Sequence, residues 1–184
     1  TLTLGQTGAG GNVQIREVNG AFQTRDLDFD PELVGSGNQF ALIASGGIET
    51  GTTAGQMIVD NSLTVTSVHN LLIAATGGNQ VLINNSVTNA ADATTTIAAS
   101  DAAINVNALV SSIGNVLIAG AGNDPSDGVN INANVTIQPG GAGASTITVQ
   151  ANEDITISTP AALTTPTGGG GVTIQAGLDL PASA

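Results

Sequence analysis

The chain lacks cysteine, lysine, tryptophan and tyrosine, and each absence narrows what it can be. Without cysteine, the chain has no disulfides, thiolate metal sites or cysteine nucleophiles. Arg16 and Arg25 are its only arginines, against 14 acidic residues, which gives a formal net charge of -12 with the one histidine neutral. Nucleic acids and anionic membrane surfaces are bound through basic side chains, so we expect neither as a partner.

Large side chains are also scarce, because only 2% of the residues are aromatic although 41% are hydrophobic. Valine, isoleucine, leucine and alanine fill a narrow, layered core more readily than a wide one. The longest apolar runs, such as residues 71–75, are far too short to span a membrane. The acidic composition, rich in glycine, asparagine, threonine and alanine, favours a bacterial secreted or cell-surface protein. Residues 1–4 do not resemble a signal peptide, so an exported form would be a mature chain or a fragment.

One alternating run, from Asp127 to Ile137, recurs along the chain in related forms. Apolar and small polar residues alternate in each copy, as they do in β-strands. Equivalent apolar positions follow one another at offsets of 24, 23, 25 and 26 residues: Val59, Ile83, Val106, Ile131 and Ile157. A fixed period of this length predicts stacked repeats, with these residues in the core.

A second set of apolar positions predicts a second strand in each repeat: Ile43, Ile73, Ile97, Ile118, Val149 and Ile174. Their two long spacings predict insertions near residues 46–55 and 120–128, both rich in glycine. No window has the 3.6-residue apolar period of a helix. We therefore predict an all-β fold with two short strands in each repeat of about 24 residues.

Asn84, Asn107, Asn132 and Ser158 occupy equivalent outward positions in the predicted repeats. In a parallel β-helix such residues stack directly on one another, about 4.8 Å apart. This regularity favours a parallel β-helix (β-solenoid), and an antiparallel β-sandwich is the alternative. We predict an irregular N-terminal cap or strand segment at 1–40, solenoid repeats over 41–180 and a tail at 181–184.

Three segments resemble the repeat region of filamentous-haemagglutinin-like large exoproteins and autotransporter passengers: 127–133, 153–157 and 171–177. The resemblance covers about residues 40–180. It implies a right-handed parallel β-helix, secretion, and adhesive or scaffolding work, with no catalytic set to transfer. No N-terminal secretion domain is seen, so the resemblance is to the stalk of such proteins.

Asp26, Asp28 and Asp30 alternate along a predicted strand and would share one face. Clustered carboxylates bind calcium, so these three residues are the candidate metal site. The EF-hand pattern fails, however, because Pro31 stands where glycine is needed, and a solvated or charge-protected strand is the favoured interpretation. Residues 123–128 form a second acidic segment, which we interpret as a turn.

Catalytic residues are not predicted. His69 is the only histidine and is expected at a corner, with no hydrolytic triad around it. Asp101, Asp154 and Asp179 would converge in a polysaccharide-degrading β-helix enzyme, but the chain lacks lysine and aromatic platforms for a sugar. Thr-x-Thr pairs such as Thr94 and Thr96 are interpreted as strand formers rather than as an ice-binding face.

The favoured function is therefore that of a secreted or cell-surface structural or adhesive segment, without an enzymatic activity or a required cofactor. Its expected partners are further copies of itself, or glycans or proteins of a host or surface. The alternative is a subunit of an extracellular filament, in which the strand at residues 1–4 joins a neighbour's open sheet edge. A polysaccharide-degrading enzyme is the less favoured possibility.

Overall fold

The fold is described from a computed structural model of the chain. The residues that the structure describes are 13–17, 22–23, 38–44, 56–60, 63–65, 69–76, 78–90, 92–141 and 143–178. Every regular element within them is a β-strand. In chain order the strands are β1 (Val13–Glu17), β2 (Phe22–Gln23), β3 (Asn38–Ala44), β4 (Gln56–Val59), β5 (Leu63–Val65), β6 (His69–Ala75), β7 (Gln80–Ile83), β8 (Val87–Asn89), β9 (Thr95–Ala99), β10 (Ile104–Val106), β11 (Val110–Ser112), β12 (Val116–Gly120), β13 (Val129–Ile131), β14 (Val135–Ile137), β15 (Ile147–Ala151), β16 (Ile155–Ile157), β17 (Leu163–Thr164) and β18 (Val172–Gln175).

The strands form three sheets, and every strand pair among the described residues is parallel. The first sheet has the order β1-β3-β6-β9-β12-β15-β18, the second β16-β13-β10-β7-β4-β2, and the third β17-β14-β11-β8-β5. The chain therefore passes through the three sheets in turn and rises by one strand on each pass. This is a β-solenoid, and the alternative of an antiparallel sandwich is wrong.

We call one pass through the sheets a coil. Coils 2 to 6 are β3–β5, β6–β8, β9–β11, β12–β14 and β15–β17, while β1 and β2 belong to coil 1 and β18 to coil 7. Each complete coil has three strands, so the prediction of two strands per repeat is wrong. The run from Asp127 to Ile137 contains both β13 and β14, separated by a corner at 132–134. Apolar side chains point inward on both sides of this corner, so two three-residue strands look like one longer alternation.

The predicted columns of apolar residues are confirmed in the second sheet. Val59 pairs with Ile83, Ile83 with Val106, Val106 with Ile131, and Ile131 with Ile157. In the first sheet Ile73, Ile97, Ile118, Val149 and Ile174 also follow one another in register. All members up to Ile131 and Val149 are fully buried.

Ile43 is not a member of the first-sheet column. Leu42 pairs with Ile73 and is fully buried, whereas Ile43 pairs with Ala74. A shift of one residue moves a strand's inward side chains to its other face. Leucine and isoleucine stand side by side here, so the apolar pattern fits either register. The prediction that placed Ile43 in the column is therefore wrong by one residue.

Small residues fill the core where the first sheet turns towards the second. Ala75, Ala99, Gly120 and Ala151 pair successively at this end of the first sheet, and the three alanines are buried. Side chains of this size allow the two sheets to approach, which suits a solenoid built from small aliphatic residues.

Two long corners explain the spacing between Ile118 and Val149. The loop at 121–128 is the insertion predicted after the first sheet, and a second loop at 138–146 joins the third sheet to the first. The corresponding corners one coil earlier are only 100–103 and 113–115. The other predicted insertion, at 46–55, lies outside the described residues.

The segment predicted as an N-terminal cap contains two strands that continue the sheets. β1 pairs in register with β3, and β2 pairs with β4. The predicted strands at residues 1–4 and 26–30 lie outside the described residues. No helix in the part of the chain that is described is long and apolar enough to cross a membrane.

Candidate functional site

A ladder of side-chain amides runs along the outside of the solenoid, at the corner after the second sheet. Asn107 Nδ2 donates to Asn84 Oδ1 at 2.9 Å, and Asn132 Nδ2 donates to Asn107 Oδ1 at 2.9 Å. Ser158 Oγ donates to Asn132 Oδ1 at 2.8 Å and is the last member of the ladder among the described residues. These are the four residues predicted to stack, and we call them the amide ladder.

Further side-chain hydrogen bonds join successive coils on the other outward faces. In the second sheet Asn130 Nδ2 donates to Asn105 Oδ1 at 3.1 Å. In the first sheet Gln150 Nε2 donates to Gln175 Oε1 at 2.8 Å. Each bond joins residues that the strand register places opposite one another, so parallel stacking brings identical amides within reach.

The third sheet carries a column of hydroxyl-bearing residues between its inward positions, of which Ser111 is buried: Thr64, Thr88, Ser111, Thr136 and Thr164. It has one member in each complete coil. Thr64 forms a Thr-x-Thr pair with Thr66 in the sequence, but the column itself was not predicted. The pairs Thr94/Thr96 and Thr146/Thr148 lie elsewhere, at equivalent positions of the first sheet two coils apart, with Asn115 and Leu117 between them.

The acidic segment at 123–128 closes its own turn. Asp127 N–H donates to the carbonyl oxygen of Asp124 at 2.8 Å, and Asp124 N–H donates to Asp127 Oδ2 at 3.1 Å. Ser126 Oγ donates to Asp127 Oδ1 at 3.4 Å. Backbone and side-chain oxygens of aspartate commonly close turns in this way. These hydrogen bonds confirm the interpretation of the segment as a turn.

This acidic loop is also attached to the next coil. Asn152 Nδ2 donates to the carbonyl oxygen of Ala121 at 3.0 Å and to Asn123 Oδ1 at 3.2 Å. A methyl group on Gly128 would lie 2.7 Å from the carbonyl oxygen of Asp154, so glycine is needed where the two corners meet. Contacts from coil 6 therefore fix the position of this loop, which belongs to coil 5.

Of the aspartates named as candidate catalytic or metal-binding residues, the structure describes only Asp101 and Asp154. Asp101 and Asp154 are exposed in corners of coils 4 and 6, and Asp179 lies outside the described residues. The calcium candidates Asp26, Asp28 and Asp30 also lie outside them. Among the residues that are described, no group of three or more histidine, cysteine or acidic residues is placed to hold a metal ion. His69 is the first residue of β6, so it belongs to a strand rather than to a corner.

An open groove of about 220 Å³ lies between the loops 138–146 and 165–171. Its described lining residues include Ile113, Ile137, two prolines and five glycines, and none of them is charged. A methyl group on Gly141 would lie 3.0 Å from Asp92 Oδ1 and 3.1 Å from the carbonyl oxygen of Ile113. The groove is smaller than usual ligand pockets.

Polar residues also occupy part of the core, which the sequence did not indicate. Asn89, Thr95 and Ser112 are fully buried where the third sheet meets the first, and Thr95 Oγ1 lies 3.4 Å from Ser112 Oγ. Their neighbours in coil 5 are the apolar Val116 and Ile137. Strand alternation could have indicated their burial, because Asn89 and Ser112 each stand two residues after an inward valine and therefore share its face.

The last coils present apolar side chains to solvent. Val172 is 40% exposed, Ile174 is 49% exposed and Ile157 is 39% exposed. All three occupy inward columns whose earlier members are buried. The prediction that Ile157 and Ile174 belong to the core columns is confirmed in register but wrong in burial, because no described strand stacks on them.

Comparisons with protein-family models, with curated proteins and with solved structures give no match to this chain.

Proposed function

We propose that this chain is a secreted or cell-surface structural β-solenoid segment, such as the stalk or passenger of an adhesin. The observation that supports the proposal is the continuity of its columns inside and outside the coils. The apolar column from Val59 to Ile131 and the amide ladder from Asn84 to Ser158 follow the same axis without a change of register. A regular stack of this kind resists bending along its length.

The stack derives its rigidity from contacts between neighbouring coils. A buried isoleucine contributes about 2–3 kcal/mol through removal from water, and each coil contributes several such residues. Main-chain hydrogen bonds such as Asn107 N–H to the carbonyl oxygen of Ile83, at 2.9 Å, join the coils at the corners too. Because every coil depends on its neighbours, stiffness is distributed along the whole rod.

The adhesive part of the proposal is supported by the outer surface. Amide and hydroxyl groups stand in columns that repeat with the strand spacing, about 4.8 Å. The described acidic residues lie mainly at corners, including Asp101, Asp124 and Asp154. The sheet faces therefore offer neutral hydrogen-bonding groups to a repetitive partner, such as a glycan or an extended protein surface.

The experiment has two parts, location and binding. An antibody raised against the folded chain should label intact cells of the source organism, and protease treatment of those cells should remove the label. Beads coated with the chain should adhere to a surface displaying neutral glycans, whereas beads coated with an unfolded Ile131→Asp variant should not. Label confined to lysed cells would contradict the location, and equal adhesion of both beads would contradict the role of the fold.

A second function, that of a self-assembling filament subunit, is favoured by the exposed apolar residues of coils 6 and 7. Ile157, Val172 and Ile174 occupy inward columns on which no described strand stacks, and a strand of a second copy would continue those columns. Electron microscopy of the concentrated chain tests this function, because a filament subunit should form fibres whose width matches one solenoid. The expected joining strand at residues 1–4 is tested by its deletion, which should remove the fibres.

A further inference from the structure

Two asparagines of the chain stand in the sequence pattern that N-linked glycosylation requires. The pattern is asparagine, any residue except proline, and then serine or threonine. It occurs at Asn84-Asn85-Ser86 and at Asn134-Val135-Thr136. Asn134 ends the corner between β13 and β14 in coil 5, and the corresponding corners of coils 4 and 6 are also described. The surroundings of Asn134 are therefore described on both sides along the stack.

The side chains of Asn134 and Thr136 lie on the surface of the solenoid. Asn134 is exposed and Thr136 is partly exposed, whereas Val135 between them is fully buried. Residues two positions apart share a face where the chain alternates in this way. The hydroxyl group of the pattern therefore lies on the same side of the chain as the amide that would accept a sugar.

Within the described residues, the Asn134 amide uses its oxygen but not its nitrogen. Asn134 Oδ1 accepts a hydrogen bond from the N–H of Ala162 at 3.0 Å, which joins coil 5 to coil 6. Asn134 Nδ2 donates to no other described residue. By contrast, Asn132 in the same corner donates through Nδ2 to Asn107 at 2.9 Å. The nitrogen of Asn134 can therefore react without the loss of a contact between coils.

The surface around Asn134 is open and uncharged. The strand register places Leu109 on one side of Asn134 and Ala162 on the other, and both are exposed. No charged residue occurs in the three corners that stack here: 107–109, 132–134 and 158–162. An uncharged sugar attached to Asn134 would therefore displace no ion pair.

We propose that Asn134 is a site of N-linked glycosylation. Asn134 Nδ2 attacks the anomeric carbon of a sugar that is bound through oxygen to a diphosphate, which is the activated donor. A C–N bond forms, the C–O bond to the diphosphate breaks, and the diphosphate leaves with the electron pair. Nδ2 loses one proton to a base of the glycosyltransferase, so nothing is oxidised or reduced. The inference rests on the proposed secreted or cell-surface location, where this modification is expected.

The modified side chain keeps its place in the fold. Glycosylation leaves Oδ1 and one amide hydrogen of Asn134 unchanged, so the hydrogen bond from Ala162 is retained. A glycan is bulky and solubilising, and it belongs on a protein's surface. At Asn134 it would add hydroxyl groups to the side of the rod without disturbing the stack of coils.

Asn115 is a matched control within the same chain. It is exposed, its Oδ1 accepts from the N–H of Thr146 at 2.9 Å, and its Nδ2 donates to no other described residue. The residue two positions later is Leu117, so the glycosylation pattern is absent. Asn115 and Asn134 therefore present their amides alike and differ in the hydroxyl group that follows. Asn115 should remain unmodified.

Mass spectrometry of the chain recovered from its source organism tests the proposal. Cleavage after acidic residues separates the two asparagines, because Asn134 then lies within residues 128–153 and Asn115 within residues 102–127. The fragment with Asn134 should exceed its sequence mass by one or more whole sugar residues, and further fragmentation should place the sugar on that asparagine. The fragment with Asn115 should have its sequence mass.

Two substitutions of Thr136 test the pattern with Asn134 retained. Thr136→Ala removes the hydroxyl group, so the sugar on Asn134 should be lost completely. Thr136→Ser keeps a hydroxyl group at this position, so the sugar should remain. Because Thr136 is partly exposed, neither substitution opens a cavity in the core. Circular dichroism of both variants should show the cooperative unfolding of the unmodified sequence.

The outcomes separate this inference from the proposed function. A fragment 128–153 without a sugar would reject the inference, whether the chain is found on the cell surface or inside the cell. A sugar on Asn84 alone, on Asn115, or on Asn134 in the Thr136→Ala variant would reject it too. Antibody label confined to lysed cells would contradict the proposed location, while a sugar on Asn134 of that chain would still support the site.

Discussion

Ile131 and Ile157 occupy the same column, are paired with one another, and belong to strands of the same length and pattern. Ile131 is fully buried, whereas Ile157 is 39% exposed. Val149 and Ile174 show the same contrast in the first sheet, at 0% and 49%. The residues of each pair share an equivalent sheet position and differ in whether a described coil stacks above them.

The contrast shows that a coil of this solenoid is buried by its neighbours rather than by its own folding. In a globular domain a strand is covered by elements from many parts of the chain. Here each inward side chain is covered by the equivalent residues of the coils before and after it. Stability should therefore fall steeply from the middle coils to the last ones, and the following variants test this gradient.

The largest effect is expected for Ile131→Asp. A carboxylate at a fully buried position of coil 5 has no polar partner in its column, and the penalty exceeds about 4 kcal/mol. Circular dichroism during chemical denaturation should show loss of the cooperative transition. Asn130→Asp, at the neighbouring outward position, should cost only about 1 kcal/mol through loss of its bond to Asn105. Equal, small effects of the two substitutions would refute the register.

Truncation to alanine compares the two members of the column directly. Ile131→Ala should destabilise the protein by about 3–4 kcal/mol, because it removes buried surface and leaves a cavity. Ile157→Ala should cost about 1 kcal/mol, because much of that side chain is already in water. Both free energies can be obtained from urea unfolding, provided that the denaturant slopes agree. A larger effect at Ile157 would contradict the dependence on the next coil.

A smaller effect is expected where two corners touch. A methyl group on Gly114 would overlap the backbone of Ala93, including its carbonyl oxygen. Gly114→Ala should therefore destabilise the protein by about 2 kcal/mol, because backbone must move to make room. Gly143→Ala is the control, since nothing lies within 4 Å of an added methyl group there. Thermal unfolding of the two variants should differ clearly, and identical midpoints would show that the corners are loosely packed.

The smallest effect is expected in the amide ladder. Asn107→Ala removes the bonds to Asn84 and Asn132, both at 2.9 Å, and should cost about 1–2 kcal/mol. Asn107→Asp retains an acceptor for Asn132 but loses the donor to Asn84, so an intermediate effect is expected. The rate of backbone hydrogen exchange at the adjoining corners should be lowest in the unmodified protein, higher in Asn107→Asp and highest in Asn107→Ala. No change in either variant would show that water replaces the ladder without loss.

Much of this architecture could be predicted because the coils of a parallel solenoid require similar residue types at regular intervals in the sequence. The column through Val59, Ile83, Val106, Ile131 and Ile157, and the amide ladder beside it, follow directly from repeated residue types at matching offsets. Both depend only on local alternation and on stacking of equivalents. The function has no such signature, since the residues that build the rod are ordinary strand formers.

The remaining details depend on information that local patterns do not contain. Strands of the third sheet span only two or three residues, so they merge with their neighbours in the sequence. Leu42 and Ile43 fit the column equally well by residue type, and only pairing with Ile73 separates them. Asn89 and Thr95 look like surface residues although they are buried. The exposure of Ile174 depends on whether another strand stacks on it. The alternation of residues within β18 contains no information about that.

The central claim is that equivalent residues of successive coils lie in straight columns, and one distance measures it. Spin labels at Thr64 and Thr164 would lie at the two ends of the hydroxyl column on the third sheet. Four strand spacings separate the labelled positions, so pulsed electron paramagnetic resonance should give a narrow distribution near ~19 Å. A broad distribution, or one centred beyond about twice that distance, would contradict the stacked columns and the rigid rod built from them.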